Sequence, residues 1–363
     1  LSIGIQKIMK SNSKNRTSLY VHIPFCDSKC FYCSFNSYTN LHSIQDRYIL
    51  SLIEQFKFEI ERFQIDKFQT VYIGGGTPST LSIKNLEKIS LLISPYLQDG
   101  GEWTIEVNPN SSSQKWLESA FQLGVNRISL GVQSFNDRKL KFLGRNHSSK
   151  IAIESVENVY RVGFRNINLD LIYNTALDTR ELLNRDIDIL FSLPLTHVSM
   201  YSLTLEEGTP FQNRDDVQNE NLSLSRELID RVNEKFPQYE ISNFGNPSQH
   251  NLGYWQGENY IGLGSGAVGF LRDRRFYPNK NVERYIEQPL KFKEERLSPE
   301  DIKLEKLFLG FRSIVGVSKD ILSTSEIERA DMLVQEGILK FQDGKYLNLD
   351  YLLADEVALK VAD

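Results

Sequence analysis

Six short apolar runs mark the first part of the chain: SLYVHI, TVYIG, WTIEV, RISLGV, NINLDLI and HVSMYSL. Each is bounded by Gly, Pro, Asn or Asp, the punctuation of β-strands. The runs are continuously apolar, as expected of strands covered on both faces. Between the first two, Ile49, Leu52, Ile53, Phe56, Ile60 and Phe63 recur at helical spacing. LEKISLLISPYL, SSSQKWLESAFQLG and IAIESVENVYRVG read as further helices, the last two ending in a glycine suited to a C-cap. Strand and helix in alternation predict parallel βα units. The fold class is therefore α/β, a partial (β/α)6 barrel. In such folds chemistry gathers at the C-terminal ends of the strands.

The pattern breaks after about residue 235, where YEISNF, a polar loop and a glycine-rich stretch follow. KFKEERLSPED reads as a charged linker. Beyond it LEKLFLGFRSI predicts a helix, and the remainder predicts helix, two short strands, helix, a small winged-helix-like α+β domain. The expected organisation is a tail over 1–17, a barrel over 18–290 with extra strands after 235, and a C-terminal domain over 291–363.

A length of 363 residues fits two domains. A net charge of -5 argues against a nucleic-acid binder, which needs a basic field. No apolar stretch approaches the roughly 20 residues that span a bilayer. LSIGIQKIMKSNSKNR lacks the apolar core of a secretory signal, and Met9 is an alternative start. The chain has three cysteines, Cys26, Cys30 and Cys33, all within HIPFCDSKCFYCSF. Three thiols cannot pair off evenly, so the expectation is a cytoplasmic protein whose reduced thiols serve a metal or catalysis.

Structural zinc wants four closed ligands; the spacing C-x3-C-x2-C gives three, with His22 as a conceivable fourth. A redox pair of Cys30 and Cys33 leaves Cys26 unexplained. An iron–sulfur cubane fits better, because three thiolates leave one iron open to a small molecule. Phe31 and Tyr32 can shield it from water.

C-x3-C-x2-C after the first strand of a βα barrel resembles the radical S-adenosylmethionine (SAM) superfamily. That resemblance implies a [4Fe-4S] cluster whose open iron takes the amino and carboxylate groups of SAM. GGGTPS follows strand two, IEVNP ends strand three, LGVQSF and LGRNH follow strand four, and NLDLIY forms strand five. With these the chain is similar to the group that holds oxygen-independent coproporphyrinogen III oxidase and the heme chaperone HemW. The resemblance implies that Tyr20, Tyr32, Gly75, Gly76, Thr77, Glu106, Gln133, Arg145 and Asp170 line the SAM pocket. LIYNTALDT departs from the group's LIYGLPGQT, so Asn174 through Leu177 replace a glycine–proline turn.

Two features point away from the oxidase. Phe35 stands where its pattern has a further cysteine, and only a short segment precedes the first strand. QHNLGYWQG carries His250, Asn251, Tyr254 and Trp255, which match the HNxxYW motif of the chaperones. Read alone, it is a structural loop in which His250 hydrogen-bonds to backbone; read with the resemblance, it implies heme contact. The expected partners are then heme, a heme-receiving client such as a respiratory enzyme, and a low-potential donor of flavodoxin or ferredoxin type. The alternative is radical-SAM oxidative decarboxylation of a porphyrinogen. GLGSGAVG contains a weak G-x-G-x-x-G outside any βαβ unit and reads as a close-approach loop on the open side of the barrel. His42, His147 and His197 receive no role.

Overall fold

The computed structural model describes residues 16–362. The expected tail thus lies, apart from its last two positions, outside the described residues. The chain runs β1 (Thr17–Ile23), α1 (Gln45–Phe63), β2 (Phe68–Gly75), α2 (Ile83–Ile93), β3 (Leu97–Val107), α3 (Gln114–Gln122), β4 (Arg127–Gln133), α4 (Asp137–Phe142), α5 (Ser149–Val162), β5 (Asn166–Tyr173), α6 (Arg180–Ser192) and β6 (His197–Ser202). β1 to β6 pair in sequence order and in parallel. This is the barrel that the alternating pattern predicts. LEKISLLISPYL is not one helix, however. α2 stops at Ile93, a turn over Ser94–Tyr96 holds Pro95, and Leu97 opens β3. Proline, with no N–H and a fixed φ, ends the helix there.

α7 (Leu222–Asn233), β7 (Asn243–Gly245), α8 (Gln249–Trp255), β8 (Asn259–Leu263), β9 (Gly269–Leu271), β10 (Arg274–Pro278), α9 (Val282–Glu287) and β11 (Phe292–Arg296) follow. β7 lies antiparallel beside β6, and β8 lies parallel beside β1. Among the described residues the sheet therefore has eleven strands, including a seventh parallel one that the sequence pattern did not separate from its glycine-rich surroundings. Gly264 has φ +108, and a Cβ there would lie 2.8 Å from the His22 carbonyl oxygen, so the glycine-rich stretch is a close-approach loop against β1.

The expected linker over 291–301 is a correction. Its first half is β11, paired antiparallel with β10, and its second half caps the next helix. Charged side chains on an edge strand discourage further pairing, which is why this strand reads as a linker. The C-terminal unit holds α10 (Pro299–Phe311), β12 (Val317–Ser318), α11 (Thr324–Gln335), β13 (Leu339–Gln342), β14 (Lys345–Asn348) and α12 (Ala354–Ala362). Its three strands form a separate antiparallel sheet, and Leu307, Phe311, Leu333, Tyr346 and Val357 pack a core of their own.

Outward-facing strand residues such as Leu19, Val21, Ile73, Ile105, Ile128 and Leu169 are fully covered and form the main core with the helices. The inward positions differ. Ser18, Tyr20 and His22, Thr70 and Tyr72, Glu102, Thr104 and Glu106, Arg127 and Ser129, Asn168 and Asp170 alternate with that apolar set. The barrel interior is thus polar, suited to a polar ligand rather than to packing alone.

Candidate functional site

β1 runs directly into the cysteine loop. The Cys26 N–H donates to the Tyr38 carbonyl at 3.0 Å, and the Tyr38 N–H donates to that of Pro24 at 2.8 Å. These bonds fold the loop back on itself around the three thiols. Other segments hold it from outside. The Phe31 N–H donates to the Leu143 carbonyl and the Phe211 N–H to that of Phe31. Asn36 Nδ2 donates to the carbonyls of Ser265 and Lys280 at 3.0 and 2.9 Å.

None of the cysteines is in a disulfide. The Thr77 hydroxyl donates to Cys26 Sγ at 3.4 Å, and Arg145 Nη1 donates to Cys30 Sγ at 3.2 Å. Burial pushes the Cys26 and Cys33 thiols up, so loading a metal there must expel protons. Among the described residues no three His, Cys, Asp or Glu side chains are grouped to hold a single metal ion. His22 does not complete such a set. Its Nε2–H donates to the Asn36 carbonyl at 2.8 Å and its Nδ1 accepts from the Tyr20 hydroxyl at 3.0 Å. The thiols are reduced, share one loop, and receive donors from two other strands' loops. A thiolate-ligated cluster carries net negative charge, and its sulfurs are tuned by such hydrogen bonds. This donor set fits it.

Gly76 lies against the loop so closely that a Cβ would stand 3.0 Å from Cys26 Sγ and 2.8 Å from the Phe25 carbonyl oxygen. The neighbouring Gly75, at φ +118, turns its N–H toward Glu106 Oε2 at 3.0 Å. Glu106 Oε1 accepts from the Tyr72 hydroxyl at 2.7 Å. Burial pushes the Glu106 carboxyl up to about 7, and nearby Asp170 adds to the rise. Asp170, raised mainly by burial, accepts from Asn168 Nδ2 at 2.7 Å. Arg145 spans three segments: besides Cys30, its Nη2 donates to Asn108 Oδ1 and to the Gly131 carbonyl, both at 2.6 Å. Gln133 is buried with φ +77, at a break in the β4–β5 register. A side-chain-bearing residue held in this left-handed region is uncommon and clusters at ligand sites. Tyr32 packs beside Leu143, Ile172 and Phe211, and its hydroxyl is held from ionising by burial. Tyr20 sits lower, bonded to His22, its ring 6.2 Å from that of Tyr72.

Gly75, Gly76, Thr77, Glu106, Arg145 and the cysteine loop are thus linked by direct contacts at one mouth of the barrel. Tyr72, Asn108 and Asn36 belong with them. Tyr72 could have been found as the inward position two residues before Gly74, and Asn108 from its place in IEVNP. Asn36 carries no signal in the sequence.

His250 is elsewhere. It lies on α8, a helix rather than a loop, against the N-terminal ends of the strands. Its Nδ1–H donates to Thr70 Oγ1 at 2.7 Å, and its Nε2 accepts from the Tyr254 hydroxyl at 2.9 Å. The expectation of backbone hydrogen bonds to its ring is therefore corrected: both partners are side chains. Glu102 holds the N-terminus of this helix, accepting from the N–H groups of Gln249 and His250 and from the Ser248 hydroxyl. A carboxylate there satisfies otherwise unpaired N–H groups and the helix dipole. Burial lowers His250 to about 3, so the ring is neutral. Beside the helix is a cavity of about 330 Å³ bounded by Thr70, Glu102, Gln249, Leu252 and Gln256.

The Radical SAM superfamily model matches residues 20–187. The chain is 39% identical over 316 residues to heme chaperone HemW of Lactococcus lactis subsp. lactis (strain IL1403), covering 83% of this chain and 82% of that protein. It is 37% identical to heme chaperone HemW of Bacillus subtilis (strain 168), covering 83% and 85%. Among solved structures, coproporphyrinogen III oxidase (HemN) from Escherichia coli superposes with a TM-score of 0.83 over 99% of this chain and 93% of that one, at 18% identity. That likeness establishes the fold.

Proposed function

Because the chain belongs to the heme chaperone HemW family of radical SAM proteins, we propose that it binds a [4Fe-4S] cluster, SAM and heme, and passes heme to a client protein. Cys26, Cys30 and Cys33 would hold the cluster, which when bound would supply a site for SAM and an electron of low potential. The observation that carries the cluster reading is the thiol loop with Thr77 and Arg145 directed at two of its sulfurs.

Gly75, Gly76 and Thr77 form the wall along which SAM lies, with Glu106 placed to take its ammonium group. Asp170 takes ribose hydroxyls, and the Arg145 fork suits a carboxylate. Gln133, Tyr20 and Tyr32 complete the pocket and exclude water. Heme contact falls to the His250–Trp255 helix at the opposite mouth. Iron ligation by His250 requires that the bond to Thr70 or to Tyr254 opens. The electron donor is of flavodoxin or ferredoxin type, and the client is a heme enzyme such as a respiratory one. No described helix is long and apolar enough to cross a membrane, and we place the protein in the cytoplasm.

Heme titration beside an anaerobic turnover assay tests this reading. Heme should give a Soret shift that weakens in His250→Ala, and coproporphyrinogen supplied with SAM and a reductant should stay unconverted. Absence of heme binding would remove the chaperone reading. Formation of protoporphyrinogen would replace it with the oxidase.

A further inference from the structure

Arg127 is the unexplained charge of the barrel. It is 2% exposed and stands on β4 among the inward positions. Its Nη1 donates one long hydrogen bond, 3.4 Å, to Thr104 Oγ1, and its Nε has no acceptor. Among the described residues it takes part in no ion pair within 4.0 Å. A buried guanidinium left this way is costly and persists only where its charge is used.

The register shows where that charge acts. Arg127 pairs with Thr104 on β3, and Glu106 lies two positions further along that strand. On β5, Asp170 pairs with Gly131, two steps beyond Ser129 on the inward face of β4. Only Ser129 and Gly131 separate Arg127 from the level of the two carboxylates along β4, so no long side chain of that strand stands between. None of the other groups facing this interior forms an ion pair with Arg127 among the described residues. Glu102 on β3 is engaged by the N-terminus of α8 and also accepts, at 3.4 Å, from the Thr104 hydroxyl to which Arg127 donates, so it faces the guanidinium from the other side of Thr104. His197 on β6 donates to Asn168 and accepts from Tyr239, and burial keeps it neutral. His250 on α8 is neutral likewise. His22 and Tyr20 on β1 and Tyr72 on β2 are held uncharged by burial, and Tyr201 on β6 is a half-exposed phenol. Glu240, just before β7, is raised by burial to about 7 and accepts from the Ser242 N–H. Arg145 approaches from the rim and is committed to Cys30, Asn108 and Gly131.

We propose that Arg127 is a positioning residue for the SAM site: the fixed cation beneath it that keeps Glu106 and Asp170 as carboxylates, ready for an ammonium and for hydroxyl groups. This rests on the cofactor reading above. Burial raises both carboxyls; hydrogen bonds from Tyr72 and Gly75 oppose the rise at Glu106 and those from Asn168 and Ser199 at Asp170, and the charge of Arg127 adds to that opposition at both, joined by Arg145 at Asp170. Its consequence is a pH window. Below the Glu106 midpoint the site holds a proton that must leave before an ammonium group binds. Affinity for SAM therefore climbs as pH rises through neutrality.

The test uses the full chain with its cluster reconstituted anaerobically. Infrared spectroscopy follows the carboxyl C=O bands against pH, assigned by their loss in Glu106→Gln and Asp170→Asn. Calorimetry measures S-adenosylhomocysteine binding from pH 6 to 9. Arg127→Met should raise the Glu106 midpoint by about one pH unit, the lower end for a nearby charge. It should weaken binding at pH 7 by about fivefold and recover affinity at high pH. Arg127→Lys should behave as the wild type. An unchanged midpoint, or a loss of affinity equal at every pH, would overturn the proposal. If Arg127→Met does not fold, the wild type decides alone: neither carboxyl band should be present at pH 8, and either band there refutes the idea. A wild type that binds no S-adenosylhomocysteine at any pH would refute the cofactor reading instead, while the infrared midpoints still judge Arg127.

Discussion

At the residue scale, the cysteine site depends on what is missing as much as on what is present. Gly76 has no side chain, and the space is occupied by Cys26 Sγ and backbone carbonyls. Gly76→Ala must therefore push the thiol or the loop aside. Iron bound per chain after anaerobic reconstitution should fall by more than half, while far-ultraviolet circular dichroism stays unchanged. Full iron loading in that variant would show that the contact is unimportant. The cysteines, Gly75, Gly76, Thr77, Glu106 and Arg145 could be named from the sequence because short motifs place them beside strand ends. Asn36 and Arg127 could not. Their importance comes from partners, or from the lack of them, more than two hundred positions away for Asn36 Nδ2 at Ser265 and Lys280, and across neighbouring strands for Arg127.

Elements explain the loop that departs from the family pattern. Asn174 follows β5 with φ +64, the region that glycine adopts freely and asparagine tolerates. Its side chain adds bonds that a glycine lacks: Nδ2 donates to Ser202 Oγ at 2.9 Å, and Oδ1 accepts from Ser225 Oγ at 3.0 Å. Asp178 closes the turn by accepting from the Thr175 N–H and from fully buried Lys139. The turn is thus held by the side chains of Asn174 and Asp178. Asn174→Val should cost about 1–3 kcal/mol, since a β-branched residue is strained at this φ. Asn174→Gly should cost less, because it loses only the side-chain bonds. Urea denaturation of both variants checks the order, and equal stabilities would contradict it. β11 and β8 teach the converse. One reads as a linker because its edge position demands charge, the other is hidden by glycines that a close approach requires, and neither reason is local.

The whole molecule separates two mouths of one polar barrel. The cysteine loop caps the C-terminal ends of the strands, and the His250 helix caps the N-terminal ends, where the C-terminal unit also docks. Glu240 lies at that junction, fully buried and bridged through its backbone to Ser313. Burial pushes its carboxyl up to about 7. The unfolded chain releases this proton near pH 4.3, so between about 4.3 and 7 the folded state holds a proton that the unfolded state has lost. Stability must fall as pH rises through that window. Glu240→Gln should be more stable than the wild type at pH 8, by on the order of 1–3 kcal/mol, with the difference vanishing near pH 4. Thermal denaturation at both pH values reads this, and an equal difference at both would assign Glu240 no linked proton. The barrel and the small C-terminal domain were legible from alternation and periodicity. The polarity of the interior was not, because a strand's inward positions are identified only once its neighbours are known.

The most direct measurement is electron paramagnetic resonance of the reduced, anaerobically reconstituted protein, recorded before and after SAM is added. A reduced [4Fe-4S] signal whose g-values shift on addition is expected, with the signal absent in Cys30→Ala. A cluster signal that ignores SAM, or protein that takes up zinc in place of iron, would contradict the account.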